Sequence, residues 1–319
     1  MKFLITGGAG YIGTNLANYL LKENHQVVIA DNLELGNKEL VPKKAKLYVA
    51  DLRDKRELEK IFIENKIDAV FHLASYSLVD ESMKTPGKYF DNNIISTLNL
   101  LDLMVKFNVK YHIFSSSVSV YGNPEKLPID ENQLLLPSNV YGQTKKIAEE
   151  ILSWYDKIYG IRFVSLRYFN AAGDDYGIGE KRKNETHLIP LLFKAALGSS
   201  EYFTIFGNDY PTKDGTAVRD YVHVTDLSKA HLLSFNYLED GNKSEVFNLG
   251  SGVGKSVKEI VKIVEQITGN KIAIKIEERR KGDPAILIAD YSKARKVLKW
   301  NPQKNIKEII TDVYGWYKE

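Results

Sequence analysis

The chain has 319 residues, enough to bury a substantial core in one large or two closely packed α/β units, which excludes a disulfide-stapled miniprotein. Its 44 Lys and Arg against 41 Asp and Glu leave a net charge of +3 spread along the sequence, so no nucleic-acid partner is expected. It has no cysteine, which rules out disulfides and thiolate metal sites; no metal is expected, and the composition suits a reducing compartment.

Met1 runs almost at once into a strand-like stretch, leaving no room for a signal peptide, and the apolar runs fall short of the roughly 18 residues that cross a bilayer. A cytoplasmic protein with no membrane partner is expected. Runs rich in β-branched and apolar residues predict strands at 3–6, 27–30, 47–50, 69–74, 111–114 and 162–166. Between them, helical periodicity appears at 12–22, where Ile12, Leu16, Tyr19 and Leu20 share a face, and at 57–65. The alternation predicts an α/β fold of Rossmann type, a doubly wound parallel sheet with helices on both faces. After about residue 168 the rhythm gives way to loops at 173–185 and 207–215, a strand at 246–249 and a helix at 256–268. We read residues 1–168 as a first lobe that also receives segments near 216–248. Residues 169–319 read as mainly a smaller, mixed α/β substrate lobe, with the ligand cleft between the two.

The first strand runs into Thr6-Gly7-Gly8-Ala9-Gly10-Tyr11-Ile12-Gly13 and then directly into a helix. Gly7 permits the tight turn, Gly10 lets the backbone approach a pyrophosphate, and Gly13 lets helix pack on strand, so that helix-start amides face phosphate. Eighteen residues after Gly13 the next strand ends in Asp31. A carboxylate there accepts hydrogen bonds from the ribose of NAD and repels the extra phosphate of NADP. Asp51, closing a further strand with Leu52, reads either as an adenine contact or as a helix N-cap.

The strand at 111–114 leads into Ser115, Ser116 and Ser117 at its carboxyl edge, where ligands bind in open α/β sheets. Twenty-four residues past Ser117 come Tyr141 and Lys145, spaced i, i+4 at the start of a helix and therefore on one face. A phenol titrating near 10 is a poor base at neutral pH, and a neighbouring ammonium favours its phenolate. A serine hydroxyl can share the proton as it moves.

These stretches, with RYFN at Arg167 to Asn170, the long run from Ile205 to Val224, FNLGSGVGKSV from Phe247 and RRKGDPA from Arg279, resemble the UDP-glucose 4-epimerase family of the extended short-chain dehydrogenase/reductase superfamily. The resemblance implies NAD as cofactor, a UDP-sugar as substrate, and a homodimer. It implies catalysis by Ser117, Tyr141 and Lys145. Cofactor contacts would come from Gly7, Gly10, Tyr11, Ile12, Gly13, Asp31, Asn32, Asp51, Leu52, Leu73, Ala74, Asn92 and Phe169, with Tyr141 and Lys145. Substrate contacts would come from Asn170, His187, Leu188, Phe206, Arg219, Tyr221, Arg280 and Asp283, with Ser117 and Tyr141. Guanidinium forks suit a diphosphate and a flat apolar ring suits uracil. Of the two basic spots, Lys181-Arg182-Lys183 reads as a solvated turn, whereas Arg280 reads as a phosphate clamp, with Arg279 and Lys281 undecided.

Three positions depart from the family pattern: Ser77 stands where many members carry lysine, His187 where asparagine is common, and Leu287 where residue size is thought to admit or refuse an N-acetyl group. The implied activity is epimerisation at C4 of a UDP-hexose, UDP-glucose and UDP-galactose in the first place. A UDP-N-acetylhexosamine or UDP-uronic acid 4-epimerase is the alternative. A 4,6-dehydratase needs a further acid and base just before Val-Tyr-Gly, where this chain has Val118 and Ser119, neither able to carry a proton. A non-catalytic NAD sensor could dispense with Tyr141 and Lys145.

Overall fold

The computed structural model describes residues 1–180, 185–280 and 282–318; Lys181, Arg182, Lys183 and Lys281 lie outside the described residues. The chain alternates β1 (Lys2–Thr6), α1 (Tyr11–Lys22), β2 (Gln26–Asp31), β3 (Lys46–Val49), α2 (Lys55–Glu64) and β4 (Ala69–His72). Two short helices, α3 (Val79–Lys84) and α4 (Pro86–Phe90), pass through a π-helical turn at Asp91–Ile95 into α5 (Ser96–Lys106). There follow β5 (Tyr111–Ser117), a 3₁₀ turn at Val118–Val120, α6 (Val140–Tyr159), β6 (Arg162–Tyr168) and β7 (Asn170–Ala172). The second half holds α7 (Leu188–Ala196), β8 (Phe203–Phe206), β9 (Val218–His223), α8 (Val224–Glu239), β10 (Glu245–Leu249) and β11 (Gly254–Ser256). It closes with α9 (Val257–Thr268), β12 (Ile274–Glu277), β13 (Ile286–Leu287), α10 (Ser292–Val297) and α11 (Ile306–Lys318).

The large sheet has seven parallel strands in the order β10-β6-β5-β4-β1-β2-β3, which is the doubly wound Rossmann arrangement the sequence predicts. Strand alternation divides its core into two faces. Phe3 and Ile5 point to one, with Leu16 and Leu20 of α1 and Leu227 and Phe235 of α8; Leu4 points to the other, with Leu58 of α2, Leu100 and Met104 of α5 and Leu152 of α6. The switch between β1 and β4, where the order reverses, opens a crevice at the carboxyl ends of the strands.

Boundaries follow local chemistry. The helix predicted at 57–65 begins at Lys55 because Asp54 caps it, accepting from the amides of Arg56 and Glu57. Asp51 is therefore not the N-cap; its carboxylate pairs with Arg53 at 2.7 Å. Helix α9 starts in a reciprocal capping box between Ser256 and Glu259 and ends at Gly269, whose φ is 75°. A third core joins Phe193 of α7, Ile260 and Val264 of α9 and Ile309 and Val313 of α11 beneath β9 and the pair β8–β12. No helix among the described residues is long and apolar enough to cross a membrane.

Candidate active site

The glycine loop occupies the switch point. Gly7 has φ 69°, and a Cβ there would lie 2.6 Å from the Ala74 amide nitrogen; at Gly13 a Cβ would lie 2.2 Å from the Gly7 carbonyl oxygen. Backbone therefore packs on backbone, and no side chain fits without moving the loop. Helix α1 starts at Gly10 with no side-chain cap and no acidic residue in its first turn, in contrast to α2 and α9. Its leading amides thus suit an anionic diphosphate. At the end of β2 the buried Asp31 accepts from the amides of Ala9 (3.0 Å) and Leu33 (2.9 Å). Burial pushes its carboxyl up, against those two hydrogen bonds, which favour the charged form. A dinucleotide fits this cradle.

Asn32 accepts from the Glu34 amide through its side chain, and Leu52, three residues past the end of β3, is buried. Leu73 and Ala74 follow β4, their amides facing Thr6 of β1. In the π-helical turn Asn92 donates to Asn93, which is buried and bonds both the Tyr76 backbone and the Thr144 hydroxyl. An insertion of this kind widens a helix locally, and here it ties the α4–α5 junction to α6.

Ser115, Ser116 and Ser117 are the last residues of β5, paired across the ladder with Leu166, Arg167 and Tyr168, so the strand extends three residues past the predicted 114. Helix α6 starts at Asn139, whose side chain accepts from the Gly142 amide at 2.8 Å. A Cβ at Gly142 would lie 2.3 Å from the Ser119 carbonyl oxygen, so glycine lets the first turn carrying Tyr141 rest directly on the chain that follows Ser117. One turn further in, Lys145 is 3% exposed, and its Nζ donates to the Ser115 carbonyl at 2.7 Å. The ammonium lies 5.8 Å from the Tyr141 ring centre. Burial lowers the Lys145 amine to about 7, with the carboxylate of Glu149 opposing.

A cleft of about 280 Å³ opens above these groups. It brings together Tyr11, Ile12, Ser117, Tyr141, Phe169, Asn170, His187, Leu188 and Tyr221 from among the sequence-predicted residues. Ser77 reaches it as well. Tyr11 donates to the Gly173 carbonyl, and burial, then Glu180 and Asp174, hold its phenol well above the usual range. His187 Nδ1 stands 2.9 Å from Glu180 and 3.2 Å from Glu185.

Phe206 and Arg280 lie instead in a second hollow of about 870 Å³, with Arg279. The Arg280 guanidinium stacks on Phe206 at 4.1 Å, and Arg279 stacks on Tyr210 at 4.3 Å while pairing with Asp209. Arg280 Nε also approaches Asp80 at 3.8 Å; since Val79 lines the first cleft, the start of α3 joins the two hollows. Arg219 and Asp283 pair at 2.5 Å. Leu287 lines neither hollow and packs with Tyr121, Ile129 and Phe169.

Sequence reasoning missed the residues Val313, Trp316 and Tyr317, by which α11 walls the cleft. No motif marks them, since they arrive from the far end of the chain. It also missed the buried pair of Glu149 and Arg167. Arg167 stood inside a recognised motif, and Glu149 continues the i, i+4 series from Tyr141 and Lys145, a signal that was available.

Residues 4–313 match the family model described as GDP-mannose 4,6 dehydratase. The chain is 48% identical to UDP-glucose 4-epimerase of Lactobacillus helveticus, over 100% of this chain and 97% of that one, and 44% identical to that of Corynebacterium glutamicum, over 99% and 95%. The chain belongs to the UDP-glucose 4-epimerase family. A crystal structure of UDP-glucose 4-epimerase is similar at a TM-score of 0.96 and 43% identity, covering 100% of this chain and 98% of that one. The enzyme of Bifidobacterium longum, solved with NAD+ and UDP, is similar at a TM-score of 0.95 and 39% identity, with 100% and 98% covered. Family membership accounts for the geometry at the switch point and for an isomerase assignment. It also places Val118 and Ser119 in context: neither an alkyl nor an alcohol side chain titrates near neutral pH, so neither supplies the extra acid or base of a dehydratase.

Proposed function

We propose that this chain interconverts UDP-glucose and UDP-galactose at C4. The observation that carries this reading is the convergence of Ser117, Tyr141 and the glycine-loop residues Tyr11 and Ile12 on one cleft, with the Lys145 ammonium buried behind Tyr141. The glycine loop and Asp31 would hold NAD, which would supply reversible hydride acceptance from C4. Tyr141 takes the O4 proton as phenolate and gives it back, Ser117 shares that proton, and Lys145 favours the phenolate.

The sugar must turn over between the two halves of the cycle while its nucleotide stays bound. Arg219, Arg280 and Phe206 suit that holding task, because guanidinium forks grip a diphosphate and the ring offers a face to uracil. On this reading residues 1–168, with segments near 216–248, hold the cofactor, and 169–319 mainly hold the substrate. The protein works in the cytoplasm as a homodimer through α5 and α6. The apolar side chains Ile95, Trp154 and Ile158 stand exposed at 40%, 60% and 62% on and beside those helices, as a partner surface would require. Light scattering that finds a monomer at micromolar concentration would remove the dimer.

The deciding assay mixes purified protein with UDP-galactose and follows UDP-glucose with no nicotinamide added. Conversion without net NADH is expected; a 4-keto-6-deoxy product or accumulating NADH would overturn the reading. A parallel arm with UDP-N-acetylglucosamine tests the alternative substrate. One solved structure similar to this chain, a UDP-Glc/GlcNAc 4-epimerase from Campylobacter jejuni at a TM-score of 0.86 and 38% identity, motivates that arm.

A further inference from the structure

Behind the reacting groups lies a buried polar chain to which the reaction above gives no part. Glu149 stands one turn beyond Lys145 on α6, as Lys145 stands one turn beyond Tyr141, so the three share a face. Its Oε1 accepts from Ser116 Oγ at 2.6 Å and from Arg167 Nε at 3.0 Å, and its Oε2 accepts from Arg167 Nη2 at 2.6 Å. Arg167 Nη1 donates to the Tyr121 hydroxyl at 2.8 Å, which donates in turn to Asn248 Oδ1 at 2.8 Å; Asn248 Nδ2 donates to the Ile129 carbonyl at 2.9 Å. The side chains of Arg167 and Glu149 are only 5% and 8% exposed.

A buried ion pair contributes little net stability, because desolvation offsets much of the attraction, and well-packed apolar residues of like volume are often as stabilising. Location explains this pair better than energy does. Ser116, the residue Glu149 grips, lies between Ser115, whose carbonyl receives the Lys145 ammonium, and Ser117, which faces the cleft. Ser116 is also the ladder partner of Arg167 across β5 and β6. The end of β5 is thus held from the helix side by Glu149 and from the sheet side by Arg167. Proton transfer needs heavy atoms within about 3 Å of one another, and a misplacement of about 1 Å can cost 10²-fold in rate.

We propose that Glu149 is a positioning residue: held by Arg167, it fixes Ser116 and so sets the Ser115 carbonyl and the Ser117 hydroxyl at their working distance from Lys145 and Tyr141. This rests on the function proposed above. The test compares wild type with the double variant Glu149→Met/Arg167→Met, which replaces the pair by apolar side chains, and with Ser116→Ala, which removes one hydrogen bond and leaves the pair intact. Thermal melting, the Kd for UDP alone, and kcat and KM for UDP-galactose are measured for each.

In the double variant melting and UDP affinity stay close to wild type while kcat falls by about tenfold or more. In Ser116→Ala kcat falls by about threefold with KM unchanged. A folded double variant with wild-type kcat, or with kcat and UDP affinity lost in proportion, would overturn the assignment. If the double variant does not fold, Ser116→Ala decides, and an unaltered kcat overturns the assignment. Wild-type protein that leaves UDP-galactose unchanged would overturn the proposed function itself, an outcome distinct from active wild type with indifferent variants.

Discussion

The cleft at the proposed reacting end and the hollow around Phe206 hold their polar side chains in opposite ways. At the reacting end Lys145 is 3% exposed and its Nζ has the Ser115 carbonyl as an assigned acceptor, while Glu149 and Arg167 are locked by several short bonds. In the hollow around Phe206 the side chains of Arg279 and Arg280 are 40% and 36% exposed and rest on aromatic faces and on single carboxylates. Exposed pairs of that kind contribute little, so they can be exchanged for phosphate at small cost. Buried groups at the reacting end cannot be rearranged so cheaply, and there the geometry is made before substrate arrives. The two hollows thus pair a preset end, proposed for chemistry, with an adaptable end, proposed for grip.

The largest effect should come from breaking the preset end. Tyr141→Phe should lower kcat by a factor of about 10² or more while UDP affinity is kept, because general acid–base catalysis contributes at least that much. A variant retaining a tenth of wild-type turnover would remove the phenol from its role.

Lys145→Met sharpens the contrast through stability. Burial holds the Lys145 amine at about 7, against about 10.4 in an unfolded chain. Its charged form is therefore disfavoured by folding, the cost is fully present below pH 7, and it fades as pH rises towards 10. Wild-type stability should rise over that window. Lys145→Met should melt higher than wild type at pH 6, by a few degrees, and lose most of that advantage by pH 9, while activity falls by about tenfold or more. Equal melting shifts at the two pH values would show that the amine carries no burial cost.

A smaller effect belongs to the adaptable end. Arg280→Ala should raise KM for UDP-galactose by about tenfold and leave kcat within about twofold, the signature of binding lost equally from ground and transition states. A fall in kcat with KM unchanged would place Arg280 with the preset groups instead.

This division also decided what could be read from sequence. The glycine loop, Asp31 and the Tyr141–Lys145 pair are local: a turn, a strand end and one helical step each leave a short pattern, and the alternation of strands and helices carried the sheet with it. Asp51 misled at its neighbour, because an acid three residues later, Asp54, was better placed for the cap. The stacking of Arg280 on Phe206, the wall formed by Trp316 and Tyr317, and the grip of Glu149 on Ser116 join segments tens to hundreds of residues apart. No periodicity encodes such meetings; they follow only once the sheet order is known. Leu287 shows a related limit, since its place in a motif suggested the sugar pocket whereas its side chain is buried among Tyr121, Ile129 and Phe169.

The path of the chain through its sheets has a further consequence. After β6 the backbone leaves the large sheet, builds β7 and β9 beside each other, returns to lay β10 along β6, and departs again to place β11 on β9. A fragment ending at residue 168 would lack β10 and leave the β6 edge with bare amides and carbonyls, inviting association with other chains. Cleavage after residue 168 is therefore expected to release no folded N-terminal piece. The polypeptide is woven like cloth rather than strung like beads.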